Sequence, residues 1–262
     1  MDLIQCQIEQ RVMVLTLNRP DKLNALTHRM YAILATHLNN ANNQPEIQAI
    51  LIQSNGSAFC AGNDLDDFLQ ANGSLFDTPI HQFLQQLIQL DKPLIAAVSG
   101  AAIGIGTTLL LHCDLVYCSP QAQFALPFIN LGLVPEAASS VLLPLRIGTV
   151  RAAELLLLGQ SFSASHAEQC GLINAIVPAP ELTAHAMAQA TAIAAKPPQA
   201  LRSTKVLLKQ MAPDLTPIIN AELRAYEQAL AGDEAKACLR ALRKRTTRTV
   251  RPNAHDAQNS SL

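Results

Sequence analysis

The sequence predicts an α/β fold that ends in a helical subdomain, on three observations. Short apolar or alternating runs recur with helix-length stretches between them, the first two runs are separated only by Glu9-Gln10-Arg11, and from about Pro180 the strand signals stop while helical ones continue. The first two runs, Ile4–Ile8 and Val12–Leu17, read as an antiparallel hairpin. A helix over Thr27–Asn42 and a strand at Ala49–Gln53 follow. Helices are next predicted over Phe68–Leu75 and Pro79–Leu90, then a strand at Leu94–Val98. The alternation continues with a helix over Gly106–His112, a strand at Asp114–Cys118, helices over Pro135–Leu145 and Ala152–Leu157, and a strand at Leu172–Val177. The closing helices are Ala184–Ala195, Pro198–Gln210, Thr216–Ala231 and Glu234–Arg243, and the polar end from Thr246 is expected to fray. Two regions are expected, a core over 1–195 that carries the chemistry and a helical C-terminal subdomain over 196–262.

Composition narrows the function. A chain of 262 residues can bury a sizeable core but leaves no room for a second catalytic domain. A formal net charge of −1 gives no field that would favour nucleic acid or an anionic membrane, and three Tyr with no Trp leave no aromatic, basic face for RNA. No apolar stretch is long enough to span a bilayer, and Met1-Asp2-Leu3-Ile4-Gln5-Cys6 is no secretion signal. The end Asn259-Ser260-Ser261-Leu262 is not the Ser-Lys-Leu peroxisomal address, so the cytoplasm is the expected compartment. The cysteines (Cys6, Cys60, Cys113, Cys118, Cys170, Cys238) lack paired metal-ligand spacing and read as reduced thiols, with no metal implied.

Three segments can carry chemistry. In Ala58-Phe59-Cys60-Ala61-Gly62-Asn63-Asp64-Leu65, small residues break between a strand and a polar helix start, which leaves backbone N–H groups available to an oxygen. The plain alternative is a turn with Asp64 as a helix cap. Ser99-Gly100-Ala101-Ala102-Ile103-Gly104-Ile105-Gly106 repeats that layout without the G-x-G-x-x-G spacing of a dinucleotide site. Two such turns facing one cleft would aim preorganised donors at a thioester carbonyl and stabilise an enolate. In the third segment, Pro135 suits the first helical position and puts Glu136 in the first turn, where it either complements the helix dipole or acts as a proton carrier. Burial would raise its pKa and the helix terminus would lower it, a balance the sequence leaves open. His112, at a helix-to-strand corner, reads as structural.

Four motifs in order carry a resemblance over nearly the whole chain. They are Asn18-Arg19-Pro20 with Lys22-Leu23-Asn24-Ala25-Leu26, then Ala58–Leu65, then Ser99–Gly106 leading into Cys113-Asp114-Leu115-Val116-Tyr117, and finally Pro127–Glu136. Together they resemble the crotonase superfamily of enoyl-CoA hydratases and isomerases. The resemblance implies a spiral of ββα units, a helical C-terminal subdomain that builds a homotrimer or a dimer of trimers, and an acyl-CoA substrate whose coenzyme A is part of the substrate rather than a separate cofactor. It implies an oxyanion hole from the N–H groups of Asn63 and Ile105. It implies adenine recognition by backbone groups of Ala61, Asp64 and Leu65, with Ala25 and Lys22 also on the coenzyme and Lys22 near its phosphates.

The same resemblance separates the reactions. A hydratase of the family uses two glutamates, and the matching positions here hold Thr108 and Phe128, neither of which is a base at neutral pH. The stretch Pro127–Glu136 is instead similar to the Δ3-Δ2-enoyl-CoA isomerases, whose single catalytic glutamate matches Glu136, with Leu126, Phe128 and Leu133 as an apolar wall. Other crotonase reactions, such as hydration or isomerisation of a ring-derived acyl-CoA, share the oxyanion hole. A coenzyme A-binding scaffold without catalysis is the reading from a different class. The basic run Arg240, Arg243, Lys244, Arg245 and Arg248 reads either as a solvated helix face or as an arm reaching a neighbouring subunit's coenzyme.

Overall fold

The computed structural model describes residues 2–70 and 74–249. Strands β1 (Ile4–Glu9) and β2 (Val12–Leu17) form the antiparallel hairpin, turned by Gln10 and Arg11 with φ of 48° and 66°. Helix α1 (His28–Asn43) is capped by Thr27, whose hydroxyl accepts from Met30 N. Then come β3 (Ala49–Ser54), β4 (Ala58–Cys60), α2 (Leu65–Gln70) and α3 (Pro79–Gln89). The middle of the chain holds β5 (Leu94–Val98), β6 (Ala101–Ile103), the short α4 (Ile105–Thr108), β7 (Leu115–Cys118) and β8 (Gln123–Ala125). Helices α5 (Ser139–Ile147) and α6 (Thr149–Leu158) lead to β9 (Ser161–Ser163), α7 (Ala164–Gln169) and β10 (Ala175–Ile176). The chain then runs through α8 (Leu182–Ala194), α9 (Pro198–Lys209), α10 (Leu215–Ala231) and α11 (Asp233–Thr249).

The strands make two sheets. The larger has the order β1-β2-β3-β5-β7-β10, parallel from β2 onward, and the smaller has the order β4-β6-β8-β9. A strand of the large sheet is followed by one of the small sheet three times, β3 to β4, β5 to β6 and β7 to β8, which is the ββα spiral. One face of the large sheet looks into the main core with Leu15, Ile50, Ala96 and Val116. The other face, with Val14, Leu51, Ile95 and Tyr117, is covered by Leu182, Ala186, Ala190 and Ala194 of α8. Both faces are therefore buried, which is why β2 and β5 read as continuous apolar runs rather than alternating ones.

Several sequence expectations change. The turns after β3 and β5 are not direct strand-to-helix turns, because the three-residue strands β4 and β6 intervene, too short to show a period of two. The strand expected over Leu172–Val177 shrinks to β10, since Leu172 and Ile173 are buried in the main core without pairing. The helix expected over Gly106–His112 splits into α4 and a 3-10 turn over Leu109–His112. The helix expected from Pro135 begins only at Ser139. Parts of the expected helix over Phe68–Leu75 and of the expected frayed end lie outside the described residues.

Candidate active site

The first turn is built by the chain on both of its sides. After β4, the N–H of Ala61 donates to Leu23 O at 3.0 Å and the N–H of Asp64 donates to Leu26 O at 2.9 Å, while Leu26 N donates to Gly62 O at 2.8 Å. The N–H of Asn63, between them, has no acceptor among the described residues. The loop across from it is stitched down by Asn24, fully buried, which accepts from Arg19 N and donates to the carbonyls of Asn55 and Ala58. Asn24 and Leu23 both take positive φ, a conformation that asparagine tolerates better than most residues. Arg19 then ties loop to turn, its Nη1 donating to Asp64 Oδ2 at 2.7 Å and to Ala25 O at 3.0 Å. Asp64 also accepts from Asp67 N at 2.9 Å, so the capping role holds. Burial pushes its carboxyl up, but the Asp67 N–H and the Arg19 guanidinium outweigh burial and hold it below its usual value. Lys22 is exposed, and Ala25 and Leu65 are half-buried.

The second turn lies against the first. Strands β4 and β6 pair in parallel through Ala58 with Ala101 and Cys60 with Ala102. Gly104 has φ 56° and ψ −119°, open only to glycine, and turns the chain so that the N–H of Ile105 heads α4 with no acceptor among the described residues. A Cβ at Gly106 would stand 2.5 Å from Cys60 O, so only glycine lets α4 sit this close to β4. The two unpaired N–H groups thus belong to neighbouring turns of paired strands, and Phe128 closes on Gly104, its Cε1 4.0 Å from where a Cβ would be.

Glu136 stands elsewhere than in a first helical turn. Ala137 and Ala138 take φ of 59° and 56°, and α5 starts only after them, so Pro135 is not the first helical residue and the helix terminus exerts little pull on the carboxyl. Glu136 is 5% exposed and its Oε1 has no hydrogen-bond partner among the described residues. Burial first, and the charge of Glu222 second, push its pKa up to about 8, against the side-chain amide of Asn63, which lowers it. The question that the sequence left open is decided by burial.

Around this carboxyl lie residues from distant parts of the chain. The Tyr31 hydroxyl donates to Asn63 Oδ1 at 2.5 Å, and Tyr226 of α10 meets the same side chain. Both phenols are buried and pushed up by burial, and the Cys60 thiol is pushed up to about 12 by burial, so it is no nucleophile. Thr108 is buried with its Oγ1 unpartnered among the described residues, and Leu126, Phe128 and Leu133 are buried. Sequence reasoning missed Tyr31, Tyr226 and Glu222, since no local pattern marks them. His112, read from the sequence as structural, hydrogen-bonds Ala137 O through Nε2 at 2.8 Å, and burial holds it neutral with a pKa of about 4.

Glu222 is a second carboxylate close to the first. Its oxygens already serve Ala138 N, Ser140 N and the Ser140 hydroxyl, so it is not free to handle water as a hydratase glutamate does. An apolar groove of about 400 Å³ lies along Phe128, Leu133, Val134 and Pro135, with Leu156 and Leu157 of α6 opposite. Two larger clefts lie apart from both donor turns and from Glu136, one by Arg11 and Arg202 and one by Cys113, Arg146 and Lys205. The cations in the second are satisfied by Asp114 and by main-chain carbonyls, which marks it as a packing seam.

Comparison with known proteins bears on the family and the fold. The profile of the enoyl-CoA hydratase/isomerase family covers residues 7–248. The chain is 33% identical over 214 residues to enoyl-CoA delta isomerase 2 of Rattus norvegicus, covering 79% of this chain and 54% of that protein. It is 36% identical over 204 residues to 2,3-dehydroadipyl-CoA hydratase of Escherichia coli, covering 77% of this chain and 80% of that one. The chain spans about half the length of the rat relative. Among solved structures it is similar to OdaA of Pseudomonas aeruginosa, with TM-score 0.88 and 40% identity over 92% of this chain and 99% of that one. An enoyl-CoA hydratase/isomerase from Pseudoalteromonas atlantica gives TM-score 0.86 and 36% identity over 93% and 98%.

Proposed function

We propose that this chain, which belongs to the enoyl-CoA hydratase/isomerase family, is a Δ3-Δ2-enoyl-CoA isomerase that moves a double bond of an acyl-CoA into conjugation with its thioester. The observation that carries the reading is the isolation of Glu136: one buried carboxyl with a free oxygen, while Thr108 and Phe128 occupy the positions where a hydratase has its glutamates and Glu222 is committed to the backbone. The relatives include both isomerases and hydratases at similar identity, so the choice rests on these side chains.

The chemistry follows from the geometry. The N–H groups of Asn63 and Ile105 bind the thioester oxygen, and charge that develops there as C2 loses a proton meets dipoles already in place, worth a factor of about 10²–10³ for each donor. The Glu136 carboxylate takes the C2 proton, the electrons shift to form the dienolate, and the same carboxyl returns the proton at C4. A carboxyl with a pKa of about 8 is a stronger base than an exposed one, which suits abstraction from carbon. The apolar surround of Leu126, Phe128 and Leu133 keeps water from the intermediate.

For the coenzyme, exposed Lys22 meets the phosphates, and the loop at Ala25 with the turn Ala61–Leu65 receives the adenine. The N–H groups of Ala61 and Asp64 are already engaged, so the carbonyl of Ala61 is what the turn offers an adenine amino group. The working unit is a homotrimer or a dimer of trimers, in keeping with exposed Val150 and Leu157 on α6 and Leu207, Leu208 and Met211 along and just beyond α9.

The test is a direct assay with 3-hexenoyl-CoA and, separately, crotonyl-CoA. Conversion of the first to the conjugated 2-enoyl thioester without hydration of the second is the expected result. Hydration of crotonyl-CoA at a comparable rate overturns it.

A further inference from the structure

We propose that Glu222 is a positioning residue for Glu136, acting from α10 through the main chain of Ala138 and Ser140. The inference rests on the isomerase reading only in naming Glu136 as the base.

Glu222 lies 84 residues from Ala138 in sequence and is 8% exposed, yet its carboxylate gathers three donors from the segment after Glu136. Its Oε2 accepts from Ala138 N at 2.6 Å, and its Oε1 accepts from Ser140 N at 3.0 Å and from the Ser140 hydroxyl at 2.5 Å. Those N–H groups head α5 and have no intrahelical acceptor. An apolar side chain at 222 would leave the N–H of fully buried Ala138 unpaired and strip Ser140 of its acceptor.

The segment needs such a clamp. Ala137 and Ala138 both sit in the left-handed region, which costs a residue with a Cβ and persists only where neighbours over-determine it. His112 holds the pair from one side, at Ala137 O, and Glu222 from the other, at Ala138 N. This left-handed pair is what starts α5 late and keeps Glu136 off the helix, buried beside Asn63. Released, the backbone would relax toward the right-handed region, extend α5 backward and swing the carboxyl away.

A carboxylate also brings charge. The groups that face Glu136 are Glu222 and Tyr226 from α10, Tyr31 from α1, and Cys60 and Asn63 from β4 and its turn. The two phenols and the thiol are neutral over the working range and Asn63 has no charge, so Glu222 alone among them acts on Glu136 as an ion. Burial raises Glu222 itself, while its three donors favour ionisation. It ionises ahead of Glu136, and its charge then opposes the loss of the second proton.

Two substitutions separate clamp from charge. Glu222→Gln keeps the size and one acceptor and removes the charge. The acid limb of kcat with 3-hexenoyl-CoA and the titration of Glu136 in the free enzyme should both move down by roughly half a unit or more, with KM little changed. The titration is read by carbon-13 NMR of glutamate carboxyl-labelled protein, with Glu136→Gln assigning the resonance. Glu222→Asp keeps the charge but withdraws it by one methylene, so the titration should hold while kcat falls about tenfold. An unmoved Glu136 titration together with wild-type kcat in a folded Glu222→Gln protein overturns the proposal. If that variant does not fold, wild-type kcat in Glu222→Asp overturns it. Should the wild type fail to convert 3-hexenoyl-CoA while the titration moves as stated, the isomerase reading falls and the role of Glu222 stands.

Discussion

The phenol of Tyr31 donates to Oδ1 of Asn63 at 2.5 Å, and that bond turns the amide nitrogen of Asn63 away from α1 and toward the Glu136 carboxyl. One asparagine thereby serves both halves of the proposed reaction, its main chain toward the thioester oxygen and its side chain toward the base.

Tyr31→Phe removes the donor and leaves Asn63 Oδ1 without its partner, at a cost of about 1–3 kcal/mol. Unfolding in urea should show that loss. Steady-state kinetics should show a fall in kcat larger than any rise in KM, because the amide is no longer held in one orientation. Wild-type kcat would remove the side chain of Asn63 from the mechanism.

Glu136→Gln should lower isomerisation by about 10²–10⁴-fold and leave coenzyme A binding intact. The wild-type rate should depend on the ionised base, so kcat/KM should climb with pH toward a plateau above about 8. A Gln variant with wild-type turnover would reassign the base.

The same residue predicts a stability profile. The Glu136 pKa is raised from 4.5 to about 8 on folding, so its protonated form is favoured in the native state. The contribution is complete below the unfolded value and is lost as pH rises through the folded one, at a rate on the order of 1 kcal/mol per unit. His112, lowered from 6.5 to about 4, acts in the other sense, losing stability as pH falls through that window. The difference between wild type and Glu136→Gln removes the histidine, and should decline from about pH 4.5 to about pH 8 in denaturant titrations.

Gly104→Ala forces a Cβ onto a backbone at φ 56° and ψ −119°, strain of about 1–3 kcal/mol even though Phe128 leaves room for the methyl. Relaxation of that strain would re-aim the N–H of Ile105, and the rate should drop by about 10²–10³-fold. An active Gly104→Ala protein would take Ile105 out of the oxyanion hole.

Leu208→Glu combined with Met211→Glu places two charges on an exposed apolar face and should dissociate the oligomer. Light scattering after gel filtration would report the change. A wild-type protein that runs as a monomer, or an unchanged oligomer in the double variant, would locate the contacts elsewhere.

The sequence alone determined the alternating α/β order, the hairpin, the bounds of most long helices within a few residues, and the four motifs. All of these are short-range: a capping Thr27, a proline at the head of α3, or glycines whose backbone freedom a turn requires are written in adjacent letters. Tertiary structure decided the rest. Strands β4 and β6 exist because neighbouring chain pairs with them, and Glu136 leaves the helix because His112 and Glu222 hold Ala137 and Ala138 in a left-handed pair. The proton affinity of Glu136 was likewise undecidable from its neighbours in sequence, since desolvation and the charge of a residue on α10 set it. Periodicity and turn chemistry are local and legible in order along the chain. Burial, long-range hydrogen bonds and charge proximity come into being only when residues far apart in sequence are packed together.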